Sequence, residues 1–306
     1  ALNQVINGIN WISNATIYVS PYEHNAVART VNKVAKEKGL MVKQIPIDDA
    51  TLEIDLEKLK YEFSKEKPFA VFCTHVSNVT GYILPVSDIF YEAKKYDAIT
   101  VLDSAQSLGL IEVDSKTISA DIICFAGHKC LYGPFGIGGF INITNVPLDV
   151  YITGGTGSDS LNLDMPDGNE SKYESSSTNI VAIAGLHAAL KCLDIANCRE
   201  KEQQLTDYLI GELSKIDNIH MYLPANRDKH IGIVSFTHDE LNSEDVGTIL
   251  DEDFNIAVRT GYHCAPYIHD YLKDKQFLGT VRIGLGQFTS KEDIDTFISA
   301  LIEINE

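Results

Sequence analysis

Residues 69–103 run FAVFCTHVSNVTGYILPVSDIFYEAKKYDAITVLD: an apolar strand, a polar turn, a helix and a second apolar strand. The two strands, Phe69–Thr74 and Ala98–Leu102, are apolar at nearly every position instead of at every second one. That is the pattern of strands buried on both faces, as in a parallel sheet covered by helices. The segment between them opens after Pro85 and reads as a helix through Lys95, long enough for a parallel crossover.

The same rhythm extends outward in both directions. Upstream lie a strand at Ala15–Ser20, a helix from His24 to Lys38 that ends at Gly39, a strand at Met41–Ile47 and a helix at Asp55–Ser64. Downstream, strands are expected at Asp121–Ala126 and Gly136–Ile143. The fold class is therefore α/β with a mostly parallel sheet. Thr153–Lys172, rich in Gly, Ser and Asp, reads as a long loop, and long loops are usually functional or mobile. A helix at Asn179–Leu193 follows. From Cys198 the character changes to α+β: a helix to Lys215, strands near His220–Leu223 and His230–Thr237, and helices at Ser243–Asp251 and Lys291–Ile304. Two domains are expected, 1–195 and a smaller one at 196–306.

The chain has 306 residues, 44% of them hydrophobic and 22% charged, with a formal net charge of −18. Such acidity argues against nucleic acid or an anionic membrane as partner, since both need a basic face. No apolar run is long enough to span a bilayer, and no secretory signal is visible. The six cysteines form no framework and have no zinc-ligand spacing. They read as reduced thiols of a cytoplasmic protein, with no metal site.

In parallel sheets, ligands sit just beyond the carboxyl ends of the strands. Asn78, Asp103 and the pair His128-Lys129 all occupy such places. A buried lysine is rare without a task, and desolvation suits its amine to imine chemistry. A carboxylate one strand away would hold a protonated pyridine nitrogen. These are the parts a pyridoxal phosphate (PLP) site needs. Each alone has a plainer reading: Lys129 as a surface turn residue, Asp103 as a strand-end cap, Asn78 as a turn Asn. Cys264 alone would be a small buried hydrophobe. It sits, however, in a Gly/His loop beside His263 and near Arg259, the polar setting of a reactive thiol.

Taken in order, the motifs carry a resemblance. Asp103-Ser104-Ala105-Gln106, Ala126-Gly127-His128-Lys129 and Tyr132-Gly133-Pro134-Phe135-Gly136-Ile137-Gly138 resemble the class V aminotransferase family, which are fold-type-I PLP enzymes. Arg259-Thr260-Gly261-Tyr262-His263-Cys264-Ala265-Pro266 is similar to the cysteine loop of its group II cysteine desulfurases and selenocysteine lyases. Glu23-His24-Asn25-Ala26, Ser77-Asn78-Val79-Thr80-Gly81, Gly154-Gly155-Thr156-Gly157 and Thr280-Val281-Arg282 match as well.

The resemblance implies a seven-stranded large-domain sheet and a role for each matching residue. His24 would stack on the cofactor ring and Ala105 would pack on its other face. Asn78 would hydrogen-bond the ring's phenolic oxygen or the substrate, Gln106 would hydrogen-bond the phenolic oxygen, and Asp103 would pair with the ring nitrogen. His128 and Ser177 would reach the phosphate, Ser177 that of a neighbouring subunit. Lys129 would join the cofactor aldehyde. Arg282, with Arg259 nearby, would bind the substrate carboxylate. Cys264 would accept sulfur from L-cysteine as a persulfide, leaving L-alanine, with a homodimer and a protein sulfur acceptor as partners and iron–sulfur cluster assembly as a setting. Selenocysteine cleavage, amino transfer and a non-catalytic or sulfur-relay scaffold are the alternatives.

Three departures stand out. The family's Gly/Thr phosphate loop would precede the segment matching Ala1-Leu2-Asn3, so a truncated molecule is expected. Ala126 replaces a usual Ser. Glu174-Ser175-Ser176-Ser177-Thr178-Asn179 replaces the family's Glu-x-Gly-Thr-x-Asn.

Overall fold

The computed structural model describes residues 1–158 and 160–305. In chain order the first part comprises α1 (Leu2–Gly8), β1 (Thr16–Val19), α2 (Asn25–Lys38), β2 (Met41–Gln44), α3 (Leu56–Lys65), β3 (Ala70–Thr74) and α4 (Val86–Lys94). It continues with β4 (Ile99–Asp103), α5 (Ser115–Ile118), β5 (Ile122–Ala126), β6 (Gly138–Asn142), α6 (Asn169–Tyr173) and α7 (Ile180–Cys192). The second part holds α8 (Ile195–Leu213), β7 (Ile219–Met221), β8 (Ile233–His238), α9 (Ser243–Phe254), β9 (Arg259–Gly261), α10 (His269–Leu272), β10 (Thr280–Gly284) and α11 (Lys291–Ile304).

The first sheet has the order β2-β1-β3-β4-β5-β6. All its pairings are parallel except β5 with β6. β1 and β3 are buried at every residue, as their continuous apolar runs require. The fold is thus α/β with a mostly parallel sheet. Six strands form it among the described residues, where seven were expected. The segment before β1 forms α1, which buries Val5 and Ile6, and adds no strand.

Local chemistry sets the element ends. α2 starts where His24 Nδ1 accepts from Ala26 N at 3.1 Å, and stops at Gly39 in the left-handed region, φ 66°, a common glycine C-terminus. α11 opens on a Ser290–Asp293 capping box. The strand expected over Met41–Ile47 ends at Gln44, before Pro46, which has no N–H for a ladder. The loop expected at Thr153–Lys172 closes in the short helix α6.

The second sheet is antiparallel, β7-β8-β10-β9. Leu209, Leu213, Val246, Leu250, Phe297 and Leu301 from α8, α9 and α11 pack on Val234, Phe236 and Val281. No single helix among the described residues is long and apolar enough to cross a membrane.

The two sheets meet through the turn after β3. Ile231 N donates to Gly81 O (3.0 Å) and Ile83 N to Lys229 O (2.9 Å). Ser235 Oγ donates to Val79 O at 2.6 Å. Buried His230 places Nε2 3.0 Å from both Thr80 O and Ile233 O. At Gly81, φ is +68° and a Cβ would lie 2.5 Å from Ile233 O and 2.8 Å from His230 Nε2. Gly81→Ala should therefore lower unfolding stability by roughly 3 kcal/mol, from left-handed strain plus overpacking. Urea denaturation of the two proteins measures it.

Candidate active site

The strand order reverses at β1: β2 lies on one side of it and β3 on the other. A crevice opens at such a switch point, beyond the strand carboxyl ends. His24 follows β1, Asn78 follows β3, Asp103 ends β4 and Lys129 follows β5. The fold thus brings the four residues to one edge of the sheet.

Lys129 sits on a loop closed on itself: Gly127 N donates to Ile137 O (2.9 Å), Gly133 N to Gly127 O (2.8 Å) and Tyr132 N to Lys129 O (2.8 Å). Burial outweighs nearby Asp103 and holds the Lys129 amine below the usual lysine range. Burial likewise raises Asp103 above the usual carboxylate range, against a backbone hydrogen bond from Ala105 and the Lys129 charge. That bond, Ala105 N to Asp103 Oδ1, measures 3.0 Å. Ala105 and Gln106 are half-buried beside it.

His24 is lowered to about 4, by burial first and then by Lys129, Arg259, Arg29 and Arg282. It is neutral at pH 7, with Nδ1 occupied as the α2 cap. Behind it Glu23, fully buried, is raised to about 8 chiefly by burial, with Asp103 adding to the rise. Its Oε1 accepts from Ser20 Oγ and Thr74 N, both at 2.6 Å.

The second sheet brings the thiol. Cys264 lies between β9 and β10, and Arg259 Nη2 donates to its Sγ at 3.3 Å. Its carbonyl accepts from Asn25 N at 2.7 Å. Asn78 Nδ2 donates to His263 O at 2.7 Å, and Arg282 Nη1 donates to Asn78 O at 2.7 Å. Arg282 is lowered to about 10, by burial and then by Arg259. The side-chain nitrogen of Asn78, expected to meet a ring oxygen or the substrate, is thus engaged by the cysteine loop.

Two expected residues stand apart. His128 is exposed and stacks on Phe135 at 5.1 Å between centroids. Ser177 is exposed, on the segment where Ser176 takes φ +81° and Ser176 N donates to Gly155 O at 2.7 Å. Neither touches the buried group. Sequence reading gave no role to Glu23 or Asn25, quoted only within a matching run, and did not single out the pair His269 and Asp274 behind the cysteine. Asn25 acts through its backbone N–H, which no residue type announces. A cavity of ≈ 400 Å³ lined by Arg199, Asp207, Arg227 and Asp228 shares no residue with this site.

A buried carboxylate, a desolvated lysine and a half-buried thiol, gathered beyond the carboxyl ends of a mostly parallel sheet, mark a fold-type-I architecture. Residues 1–297 match the family described as aminotransferase class-V, and the chain belongs to that family. It is 34% identical to a probable cysteine desulfurase of Pyrococcus abyssi, covering 99% of this chain and 76% of that protein. It is 30% identical to a cysteine desulfurase of Haloferax volcanii, over 94% and 67% of the two chains. The apo structure of the cysteine desulfurase from Thermococcus onnurineus superposes with a TM-score of 0.88 at 30% identity, covering 99% of this chain and 76% of that one.

Acid should weaken the fold. Burial lowers His24, His75 and His230 to about 4 and His263 to about 3. From about pH 6.5 down to 4 the unfolded chain binds protons on these rings that the folded chain refuses, so stability falls as pH falls. Glu23, Asp103 and Glu202, raised by burial, act in the opposite sense, but the four rings outnumber them. The urea midpoint should be lower at pH 4.5 than at pH 6.

Proposed function

We propose that this chain is a PLP-dependent cysteine desulfurase that converts L-cysteine to L-alanine and keeps the sulfur on Cys264. One observation carries the reading: the Asn25–Cys264 hydrogen bond sets a thiol beside the His24, Asp103 and Lys129 group. The relatives named as cysteine desulfurases support it.

The residues present fit the cofactor. Asp103 is buried and has Oδ1 occupied by Ala105, so it suits a protonated ring nitrogen. Lys129, held below its usual range, suits an aldehyde. Neutral His24 offers a flat face, with Ala105 and Gln106 nearby. When bound, PLP supplies an aldehyde for the substrate amine and a ring that stores electrons.

The chain does the rest. Arg282, tethered to Asn78, binds the substrate carboxylate with help from Arg259. Lys129 takes the Cα proton. The Cys264 sulfur forms a bond to the substrate sulfur as the substrate C–S bond breaks. The bonding pair stays on carbon, which takes a proton and becomes the methyl group of alanine. Thiol plus cysteine gives persulfide plus alanine, so no external oxidant is required.

We also propose two domains, at 1–195 and 196–306, with the thiol on the second. A homodimer is supported by the apolar residues exposed on α7, Ile180, Val181, Ile183 and Leu190. In such a dimer the exposed Ser177 would face the partner's phosphate, with His128 closing on the phosphate of its own subunit. A protein acceptor for the persulfide, a role in iron–sulfur cluster assembly and a cytoplasmic location complete the reading. The free cysteines support a reducing compartment.

Lys129→Ala should lose sulfide release by at least about 1,000-fold, together with the borohydride-trapped cofactor adduct on its peptide. Cys264→Ala should keep that adduct and lose the persulfide. Turnover unchanged in Cys264→Ala would point to amino transfer instead. Arg282→Lys should raise KM for cysteine by about tenfold or more, through loss of the bidentate fork.

A further inference from the structure

Tyr262–Ala265 is a tight turn, with Ala265 N donating to Tyr262 O at 3.0 Å. Its two central residues, His263 and Cys264, have φ of +47° and +58°. Consecutive left-handed residues in a two-residue turn are ordinarily Asn or Gly. Side-chain-bearing residues persist there only when their surroundings over-determine them. Asn25 and Asn78 hold the Cys264 and His263 carbonyls. His263 Nε2 lies 2.8 Å from Thr280 Oγ1 and 3.1 Å from Thr280 O.

The remaining tie is buried behind the turn. His269 is 1% exposed and Asp274 0%. His269 Nε2 lies 3.0 Å from Tyr262 O, and its Nδ1 lies 2.6 Å from Asp274 Oδ2. Both partners are acceptors, so both contacts are hydrogen bonds when the ring carries both protons. The Tyr262 ring meets His269 edge-on at 5.1 Å. Asp274 is anchored in turn, its carbonyl accepting from Gly279 N at 3.1 Å, just before the strand that carries Thr280 and Arg282. A carboxylate–imidazole pair with no exposure, aimed at the carbonyl that opens a strained turn, is a costly way merely to end a four-residue helix.

We propose that His269 and Asp274 are the positioning residues of Cys264: gripping the Tyr262 carbonyl, they hold the left-handed turn and place the sulfur for attack on the substrate sulfur. The inference rests on the desulfurase reading for what the sulfur attacks, but not for how it is held. Neither residue touches the substrate. Their loss disturbs the thiol step and spares the proton step at Lys129, which lies on the other sheet.

The test uses the PLP-loaded protein and its His269→Gln variant. Three quantities are compared: hydrogen exchange at the Asn25 and Ala265 amides, α-proton exchange of L-alanine in D₂O, and single-turnover persulfide formation on Cys264 by mass spectrometry. Amide exchange at both positions should accelerate at least tenfold, persulfide formation should fall at least tenfold, and α-proton exchange should stay within twofold. Unchanged amide exchange would overturn the proposal, as would α-proton exchange falling in step with the persulfide. Wild-type protein that forms no persulfide would remove the desulfurase reading, while the amides would still decide the positioning role. Should His269→Gln not fold, the near-isosteric Asp274→Asn is read by the same criteria.

Discussion

The N–H of Asn25 donates to the carbonyl of Cys264 at 2.7 Å, and the candidate site exists because of that bond. An α-helix leaves its first N–H groups without intrahelical partners. α2 assigns one of these to the loop that carries the thiol. The residue just before it, His24, caps the same helix. One helix start therefore fixes both the flat ring at the crevice and the sulfur facing it. A small shift of α2 moves the two together. The Gly81 turn ties the sheets at a second place, so the crevice is closed from two directions.

Electrostatics in the crevice follows from burial more than from pairing. Asp103 and Lys129 attract one another, yet each is displaced toward its neutral form, because desolvation outweighs the attraction. Glu23 behaves likewise. His24 is kept neutral by burial and by four nearby cations, Lys129, Arg259, Arg29 and Arg282. A crevice of this kind is short of counter-charge. Burial lowers Arg282 to about 10, and the nearby Arg259 charge adds to the fall. An incoming carboxylate would relieve that repulsion, and a cationic group paired with Asp103 would relieve the opposite imbalance. In a chain of net charge −18, such a pocket of positive charge also selects anions locally.

The parallel sheet was legible because β1, β3, β4 and β5 are apolar at nearly every position, and Asp103 and Lys129 because they lie at or just beyond the ends of such strands. β9 was not, since Arg259-Thr260-Gly261 has no apolar residue and pairs only because β10 lies beside it. α1 and α10 are short and hold through tertiary packing, which composition does not reveal. Cys264 was legible from its polar neighbours. The left-handed turn beneath it was not, because His and Cys are poor markers of positive φ. His128 and Ser177 were expected at a phosphate and lie exposed, since neither packs against the buried group of this chain.

The thiol itself separates desulfuration from amino transfer. Moving an amino group to a keto acid needs the lysine, the carboxylate and a cation for the substrate, and all three lie on or beside the first sheet or on β10. It gives no reason to hold a cysteine in the left-handed region, to cap its carbonyl with a helix N–H, or to aim a guanidinium at its sulfur. Each of these features restricts the chain, and strain of this kind survives where function requires the geometry. They converge on one atom, Cys264 Sγ. A fold that constrains that atom so heavily is organised around sulfur chemistry, with the lysine and the cofactor ring preparing the substrate for it.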